Sequence, residues 1–267
     1  MNNSLEILKA IYKPYRYTIK GNATLLETTS GDFIIKPKKK NLRELYTYLT
    51  SRGFGAYPRL IDDSRDGVNV FEYLNSLNIP KEQKIMDLTE IIASLHNKTS
   101  YFKNTSEDTY KAIYEDIKSN INYLENIYNT MYESGFLEVF MRPSTYVFMC
   151  NYYKIISSLE FSLQELDSWY ELISNENKIR VSVVHNNLSL DHYLNVEFSE
   201  VLKRYFYKFP LLAYEKKLLF ILISLPPKLL DNKDEFMKCQ NISDIVNYVF
   251  KTEELMRPYY TNEEQEK

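Results

Sequence analysis

The fold is decided by the stretch from Tyr15 to Lys36, which reads YRYTIKGNATLLETTSGDFIIK. Three of its segments are rich in β-branched and aromatic residues and are typical of strands: Tyr15–Lys20, Ala23–Thr28 and Phe33–Lys36. Gly21-Asn22 and Ser30-Gly31-Asp32 separate them with residues that favour tight turns. The stretch therefore predicts three consecutive strands that are joined by hairpins.

The sequence on the C-terminal side of this stretch predicts one helix and two further strands. Apolar residues recur at helical spacing in Asn41–Ser51, which predicts the helix. Strand character returns in Pro58–Ile61 and Val68–Leu74, on either side of a turn that ends in Asp66-Gly67. We therefore expect a small antiparallel sheet that carries a single helix.

After Pro80 the apolar period becomes that of helices. Six helices are predicted: Lys81–Asn97, Asp108–Tyr132, Tyr146–Ser174, Ser199–Phe209, Tyr214–Leu225 and Asn241–Met256. One isolated β-like run, Val181–His185, lies between them. The predicted class is α+β with two lobes: an N-terminal β-rich lobe over residues 1–75 and a mainly helical C-terminal lobe over residues 76–267.

Composition and charge limit the partners that we expect. The 267 residues carry a formal net charge of −3, which gives no general attraction to nucleic acid or to acidic membranes. Cys150 and Cys239 lack metal-site or redox spacing and are typical of reduced thiols in the cytoplasm. The longest apolar stretch, Leu218–Leu225, is too short to span a bilayer, and no secretory signal opens the chain. We expect a cytoplasmic protein with no nucleic-acid or membrane partner.

Four motifs follow one another along the chain: FIIK at Phe33–Lys36, VFEYL at Val70–Leu74, IIASLH at Ile91–His96 and VHNNLSLDH at Val184–His192. Their order and spacing resemble the protein-kinase-like superfamily in its small-molecule branch, the aminoglycoside phosphotransferases and choline kinases, together with spore-coat kinase-like proteins. The resemblance covers about residues 15–194. It implies the two-lobed kinase-like fold and a bacterial, spore-forming source.

The resemblance also assigns a nucleotide cleft. Lys36 takes the position of the strand lysine that grips the α- and β-phosphates of ATP, and Glu44 that of the helix acid that orients it. Glu72 and Leu74 match the segment between the lobes, whose backbone would meet an adenine ring. Two alternatives stay open: Lys36 also belongs to a basic cluster with Lys38–Lys40 that is typical of surface charge, and the segment is also typical of an edge strand.

The fourth motif departs from the family at the residues that carry phosphotransfer. Asn187 stands at the position of the aspartate base, and loss of such a base typically costs about 10²–10⁴ in rate. His192 stands at the metal-binding asparagine, although imidazole is a poor ligand for Mg²⁺, and Asp191 is the neighbouring oxygen donor. Glu197 follows where the family has a short strand and a metal-binding aspartate. The resemblance leaves His185 a structural role in bracing the loop.

Two functions are compatible with these residues. The first is a catalytically inactive pseudo-phosphotransferase that acts as a binding or spore-coat assembly module, for which no cofactor is expected. The alternative is an active, divergent phosphotransferase that uses ATP and Mg²⁺ on a small hydroxyl-bearing substrate. No Cys or His spacing supports a zinc site.

The chain has 24 tyrosines, and many of them fall on two predicted helices. Those of interest are Tyr110, Tyr114, Tyr123, Tyr128, Tyr132, Tyr146, Tyr152 and Tyr153. Most can be half-buried helix positions, because a tyrosine combines an apolar ring with a polar tip. Some can instead form an exposed surface that binds a protein partner, since tyrosine is enriched at interface hot spots.

Overall fold

The computed structural model of the chain describes residues 2–64, 67–75, 78–174, 176–185, 198–230 and 234–265. The chain divides into two compact units. Unit 1 comprises Met1–Ser100 and Ser182–Val196, and unit 2 comprises Tyr101–Val181 and Glu197–Lys267. No helix in the described ranges combines the length and the apolar character that crossing a membrane requires.

Unit 1 contains a five-stranded antiparallel sheet in the order β1-β2-β3-β5-β4. Its strands are β1 (Arg16–Lys20), β2 (Ala23–Thr28), β3 (Gly31–Pro37), β4 (Leu60–Asp62) and β5 (Val68–Glu72). Gly21 has a φ of 56° in the first hairpin turn, a left-handed conformation that glycine adopts without steric cost. The five predicted strands are confirmed, and each predicted end lies within two residues of the observed one.

Helix α1 (Asn2–Tyr12) covers one face of this sheet. Its Leu8 is fully buried in a cluster with four strand residues: Leu26, Ile35, Val68 and Val70. The ring of Tyr12 lies 4.8 Å from that of Phe33, measured between centroids. α1 was not predicted, although Leu5, Leu8 and Tyr12 recur at helical spacing.

Two further helices complete the described part of unit 1, α2 (Leu42–Ser51) and α3 (Lys81–Thr99). Leu49 of α2 packs with Phe54 and with Leu95 of α3 in a small second core. The Thr99 hydroxyl accepts a hydrogen bond of 3.1 Å from the Val183 backbone N–H, which fixes the segment after residue 182 to α3. Helix α3 thus belongs to unit 1, while a lobe boundary near residue 75 stays a prediction.

Unit 2 is mainly helical. Its helices are α4 (Glu107–Phe136), α5 (Pro143–Ile173), α6 (Phe198–Lys208), α7 (Ala213–Ser224) and α8 (Glu235–Gln265). A core led by Trp169, Tyr110 and Phe148 joins α4 and α5 to α7 and α8. The α+β class that the sequence predicted is therefore confirmed.

A two-stranded sheet in unit 2 corrects the prediction that was made from the sequence at one point. Strand β6 (Tyr101–Asn104), which was not predicted, pairs with β7 (Lys178–Val181). The predicted run Val181–His185 is wrong beyond its first residue, because Val181 pairs with Tyr101 at the end of this ladder. An exposed strand of four residues has no apolar alternation from which it could be predicted.

Gly135, near the end of α4, permits close packing against α5. A Cβ atom at this position would lie 2.9 Å from Met149 Sδ and 3.0 Å from Thr145 Cγ2. We expect Gly135→Ala to destabilise unit 2, because overpacking costs about 1–3 kcal/mol. The gain in helix propensity, at most about 1 kcal/mol, does not offset that cost. Denaturant titration measures the free energy of unfolding.

Gly55→Ala is the matched control for this variant. A Cβ atom at Gly55 has no neighbour within 4 Å, and its φ lies outside the left-handed region. Its free energy of unfolding should stay within about 0.5 kcal/mol of the wild type. Equal effects of the two variants would show that the contact between α4 and α5 is looser than described.

Candidate functional site

Lys36 lies near the end of β3, on the face of the sheet opposite α1. Its Cα partner is Asn69 of β5, while the neighbouring Ile35 is buried against α1. Successive side chains of a strand point to opposite faces, so Ile35 faces the core and Lys36, the next residue, faces away from it. The Lys36 side chain is exposed, and its Nζ lies 6.0 Å from the centroid of the Phe71 ring. This is a weak cation–π contact on the sheet surface.

Glu44 lies in the first turn of α2 and is exposed. An acid at this position stabilises a helix through its dipole, whatever further role it has. Neither Lys36 nor Glu44 forms an ion pair within 4.0 Å with any residue that the structure describes. The lysine–glutamate pair that the resemblance assigned is thus not formed here, and its role in phosphate binding stays a prediction.

The Glu72–Leu74 segment leaves the sheet at the end of β5. β5 lies between β3 and β4, so the alternative interpretation as an edge strand is wrong. The Glu72 N–H donates to the Arg59 carbonyl and the Tyr73 N–H to the Asp32 carbonyl, both at 3.0 Å. Leu74 is exposed and, within the described part of the chain, is the one residue of the three without such a backbone bond. The contact of this segment with an adenine ring stays a prediction.

The structure describes only the start of the fourth motif, Val184–His192. His185 is exposed and follows the segment that Thr99 holds. Asn187, Asp191, His192 and Glu197 lie outside the described residues, so their assignments stay predictions. In the ranges that the structure does describe, no three His, Cys, Asp or Glu side chains are grouped closely enough to hold a metal ion.

Two side chains of the basic segment after β3, Lys38 and Arg43, bond to Asp63. Lys38 Nζ donates 3.0 Å to the Asp63 carbonyl oxygen. Arg43 donates through Nε to Asp63 Oδ2 at 2.8 Å and through Nη2 to Oδ1, a bidentate pair. These bonds connect the start of α2 to the end of β4. Sequence reasoning missed the pair, because nothing local links residues that are 20 positions apart.

His96 lies in the last turn of α3 and is half-buried. Burial lowers the pKa of His96 below its ordinary value, because the imidazolium loses solvation. The imidazole is therefore mainly neutral near pH 7. A neutral imidazole makes no favourable charge interaction with the C-terminal end of the helix dipole.

Comparisons with known proteins support the fold. No protein-family model matches the chain, and no curated protein is similar enough in sequence to count as a match. The chain is similar to the solved structure of an aminoglycoside phosphotransferase from Alicyclobacillus acidocaldarius subsp. acidocaldarius DSM 446. The TM-score is 0.59 at 10% identity, and the match covers 92% of each chain. This likeness shows a kinase-like fold and no more than the fold.

Two further solved structures are more distant, and their TM-scores are too low to support a shared fold. The choline kinase LicA from Streptococcus pneumoniae has a TM-score of 0.28 at 15% identity, with 75% of this chain and 98% of that chain covered. A ternary complex of streptomycin, ATP and APH(2″)-IIa has a TM-score of 0.33 at 14% identity, with 92% and 97% covered.

His96 generates a prediction about pH. The pKa of this histidine is lower in the folded than in the unfolded chain, so the unfolded chain binds more protons as the pH falls through about 6.5. The wild type should therefore lose more stability between pH 7 and pH 5 than His96→Gln does. His185→Gln, at an exposed histidine, should keep the wild-type dependence. Parallel pH profiles of the wild type and His96→Gln, measured by denaturant titration, would contradict the assignment.

Proposed function

We propose that this chain is a kinase-like protein that has lost phosphotransfer and acts as a binding or assembly module. The observation that carries the proposal is the environment of Lys36, which rests against Phe71 without an acidic partner among the described residues. Phosphoryl transfer depends on positioning and charge neutralisation, so a lysine that no acid orients is not preorganised for it. The neutral Asn187 at the base position supports the same conclusion.

The second candidate is an active, divergent ATP-dependent phosphotransferase that acts on a small hydroxyl-bearing substrate. The exposure of Lys36 favours it, because an exposed ammonium is accessible to a phosphate group. In this case Asp191, with an acid not yet identified, would hold Mg²⁺ between the phosphates.

Calorimetric titration of ATP into the purified protein, with and without Mg²⁺, distinguishes the two functions. We expect no binding, or weak binding that Mg²⁺ leaves unchanged, because His192 stands at the metal-binding position and imidazole is a poor ligand for Mg²⁺. Lys36→Met should then change the ATP titration little. Binding that Mg²⁺ strengthens about tenfold or more, and that Lys36→Met removes, would contradict the inactive function and support the second candidate.

Several of the tyrosines noted in the sequence serve the core of unit 2. Tyr110 and Tyr128 are fully buried, and their hydroxyls donate to the backbone carbonyls of Lys178 and Pro227 at 2.9 and 2.6 Å. Burial raises the pKa of Tyr128 above its ordinary range, which keeps its hydroxyl protonated as a donor. A partner surface, if it uses tyrosine, must therefore come from the remaining residues.

We propose that a protein partner binds an aromatic surface at one end of α4 and α5. We define this aromatic surface as Tyr132, Phe136, Tyr152 and Tyr153. The ring centroids of Tyr132 and Tyr152 are 3.8 Å apart in a stacked pair, and Phe136 and Tyr153 are 65% and 71% exposed. The connection that follows α4 adds more exposed apolar side chains: Leu137, Val139 and Phe140. Contiguous exposed apolar area of this kind is typical of protein-binding sites.

The charges around the aromatic surface indicate the chemistry of that partner. Burial raises the pKa of Tyr152, and the neighbouring Tyr153 and the carboxylates of Glu125, Glu133 and Glu160 raise it further. An acidic rim around aromatic rings favours Lys or Arg side chains, through Coulomb attraction and cation–π contact. We propose a partner with a basic rim around an apolar centre, in the cytoplasm or on the spore. The spore-coat setting rests on the resemblance alone.

Site-specific cross-linking in the host cell tests the partner proposal. A photo-reactive residue at Tyr153 should give one major protein adduct, joined to a segment rich in Lys and Arg. Tyr207 is the matched control, because it is 86% exposed but lies on α6, away from the aromatic surface. The same adducts from both positions, or none from Tyr153, would contradict the proposed surface.

A further inference from the structure

A groove runs beside helix α2 within unit 1, and we call it the α2 groove. Its volume is about 670 Å³, and it lies between the linker after β3, the first turns of α2 and strand β5. The residues that matter in its lining are Lys38, Lys39, Lys40, Arg43, Glu44 and Asn69. Lys36 is not part of the lining. The groove therefore borders the site that the resemblance assigned to the nucleotide phosphates. It shares Glu44 with that site, and Asn69 is the cross-strand partner of Lys36, but Lys36 itself is outside it.

The charge of the α2 groove is positive. Four basic side chains, Lys38–Lys40 and Arg43, line it with the two acids Glu44 and Asp63, which leaves a net charge of +2. Arg43 and Lys38 are engaged with Asp63. Lys39 and Lys40 are exposed and form no ion pair with a described residue. These two ammonium groups are the ones free to meet an anion.

The N-terminus of α2 opens into the same groove. Asn41 precedes the helix with φ 61° and ψ 17°, a left-handed conformation, and no side chain caps the helix. The backbone N–H groups of Leu42 and Arg43 therefore have no intrahelical acceptor, and both residues line the groove. Uncapped N–H groups together with the helix dipole attract anions.

Asn69 supplies an independent indication that the groove binds a ligand. Its side chain is 2% exposed, lines the groove and has no hydrogen-bond partner for Nδ2. Burial of an unsatisfied amide is costly, and buried polar atoms of proteins are almost always paired. An oxygen of a bound anion is the acceptor that would satisfy Nδ2.

We propose that the α2 groove binds the phosphate group of a small phosphorylated molecule. The Asn69 amide and the first-turn N–H groups donate hydrogen bonds to phosphate oxygens, and Lys39 and Lys40 neutralise the charge. Glu44, on the rim, accepts a hydrogen bond from a hydroxyl group of the organic part. The site needs neither Lys36 nor phosphotransfer, so it goes beyond the proposed function and can exist whether or not that function is right.

Calorimetric titration with inorganic phosphate and with glycerol 3-phosphate, at constant ionic strength, tests the site. Lys39→Gln with Lys40→Gln should weaken binding of both probes about tenfold or more, since charge-assisted bonds of this kind contribute strongly. The matched control is Lys13→Gln with Lys20→Gln, which removes two exposed charges of unit 1 outside the groove and should leave binding within about twofold. Equal losses in both double variants, or no binding to the wild type, would overturn the proposal.

Two further variants locate the site and its ligand class. Asn69→Leu should weaken phosphate binding without lowering the midpoint of thermal unfolding, because no hydrogen bond of the free protein is lost. A lower midpoint with unchanged phosphate binding would reduce Asn69 to a structural role and overturn the site. Lys36→Met should weaken binding less than the Lys39 and Lys40 double variant does. The opposite order would show that the phosphate binds at Lys36 and would overturn the groove site. If inorganic phosphate binds and glycerol 3-phosphate does not, the proposal that the ligand is a phosphorylated organic molecule is overturned.

Discussion

The pairing of β3 with β5 is the constraint on which unit 1 depends. It sets Ile35 opposite Val70 and Lys36 opposite Asn69, so one register divides the sheet into a buried face and a polar one. Helix α1 covers the buried face through Leu8. The polar face carries Lys36 and forms the floor of the α2 groove. A shift by one residue would exchange the two faces, because side chains alternate along a strand. The core and the candidate site are therefore specified together.

The parts of this fold that could be predicted have local signals. Turn residues such as Gly21-Asn22 and alternating apolar residues mark β1 to β3, and apolar periodicity marks α3 and α5. The parts that could not be predicted depend on distant partners. β6 exists because Tyr101 can pair with Val181, and an exposed strand of four residues has no periodic pattern of its own. α1 is different, because Leu5, Leu8 and Tyr12 recur at helical spacing and that signal was missed.

The candidate site divides in the same way. The chain order was enough to assign Lys36 to a strand and Glu44 to the next helix, yet whether the two side chains meet depends on how α2 is held. The Arg43–Asp63 pair connects the start of that helix to β4, and Lys36 meets Phe71 instead. Asn69 carried a signal that was not read, since a lone polar residue between two valines of a central strand is unusual. Burial is what turns that residue into evidence for a ligand.

The central claim is that a phosphotransferase-type fold persists here without the chemistry. In the function that we propose, Asn187 in place of the base and a lysine without an orienting acid remove positioning and charge neutralisation together, whereas a groove that binds anions needs only donors and positive charge. The most direct measurement is phosphate release or transfer from ATP with Mg²⁺, in the presence of hydroxyl-bearing acceptors such as choline and an aminoglycoside. The account predicts that the wild type and Lys36→Met give the same background rate. A wild-type rate well above that of Lys36→Met would contradict it.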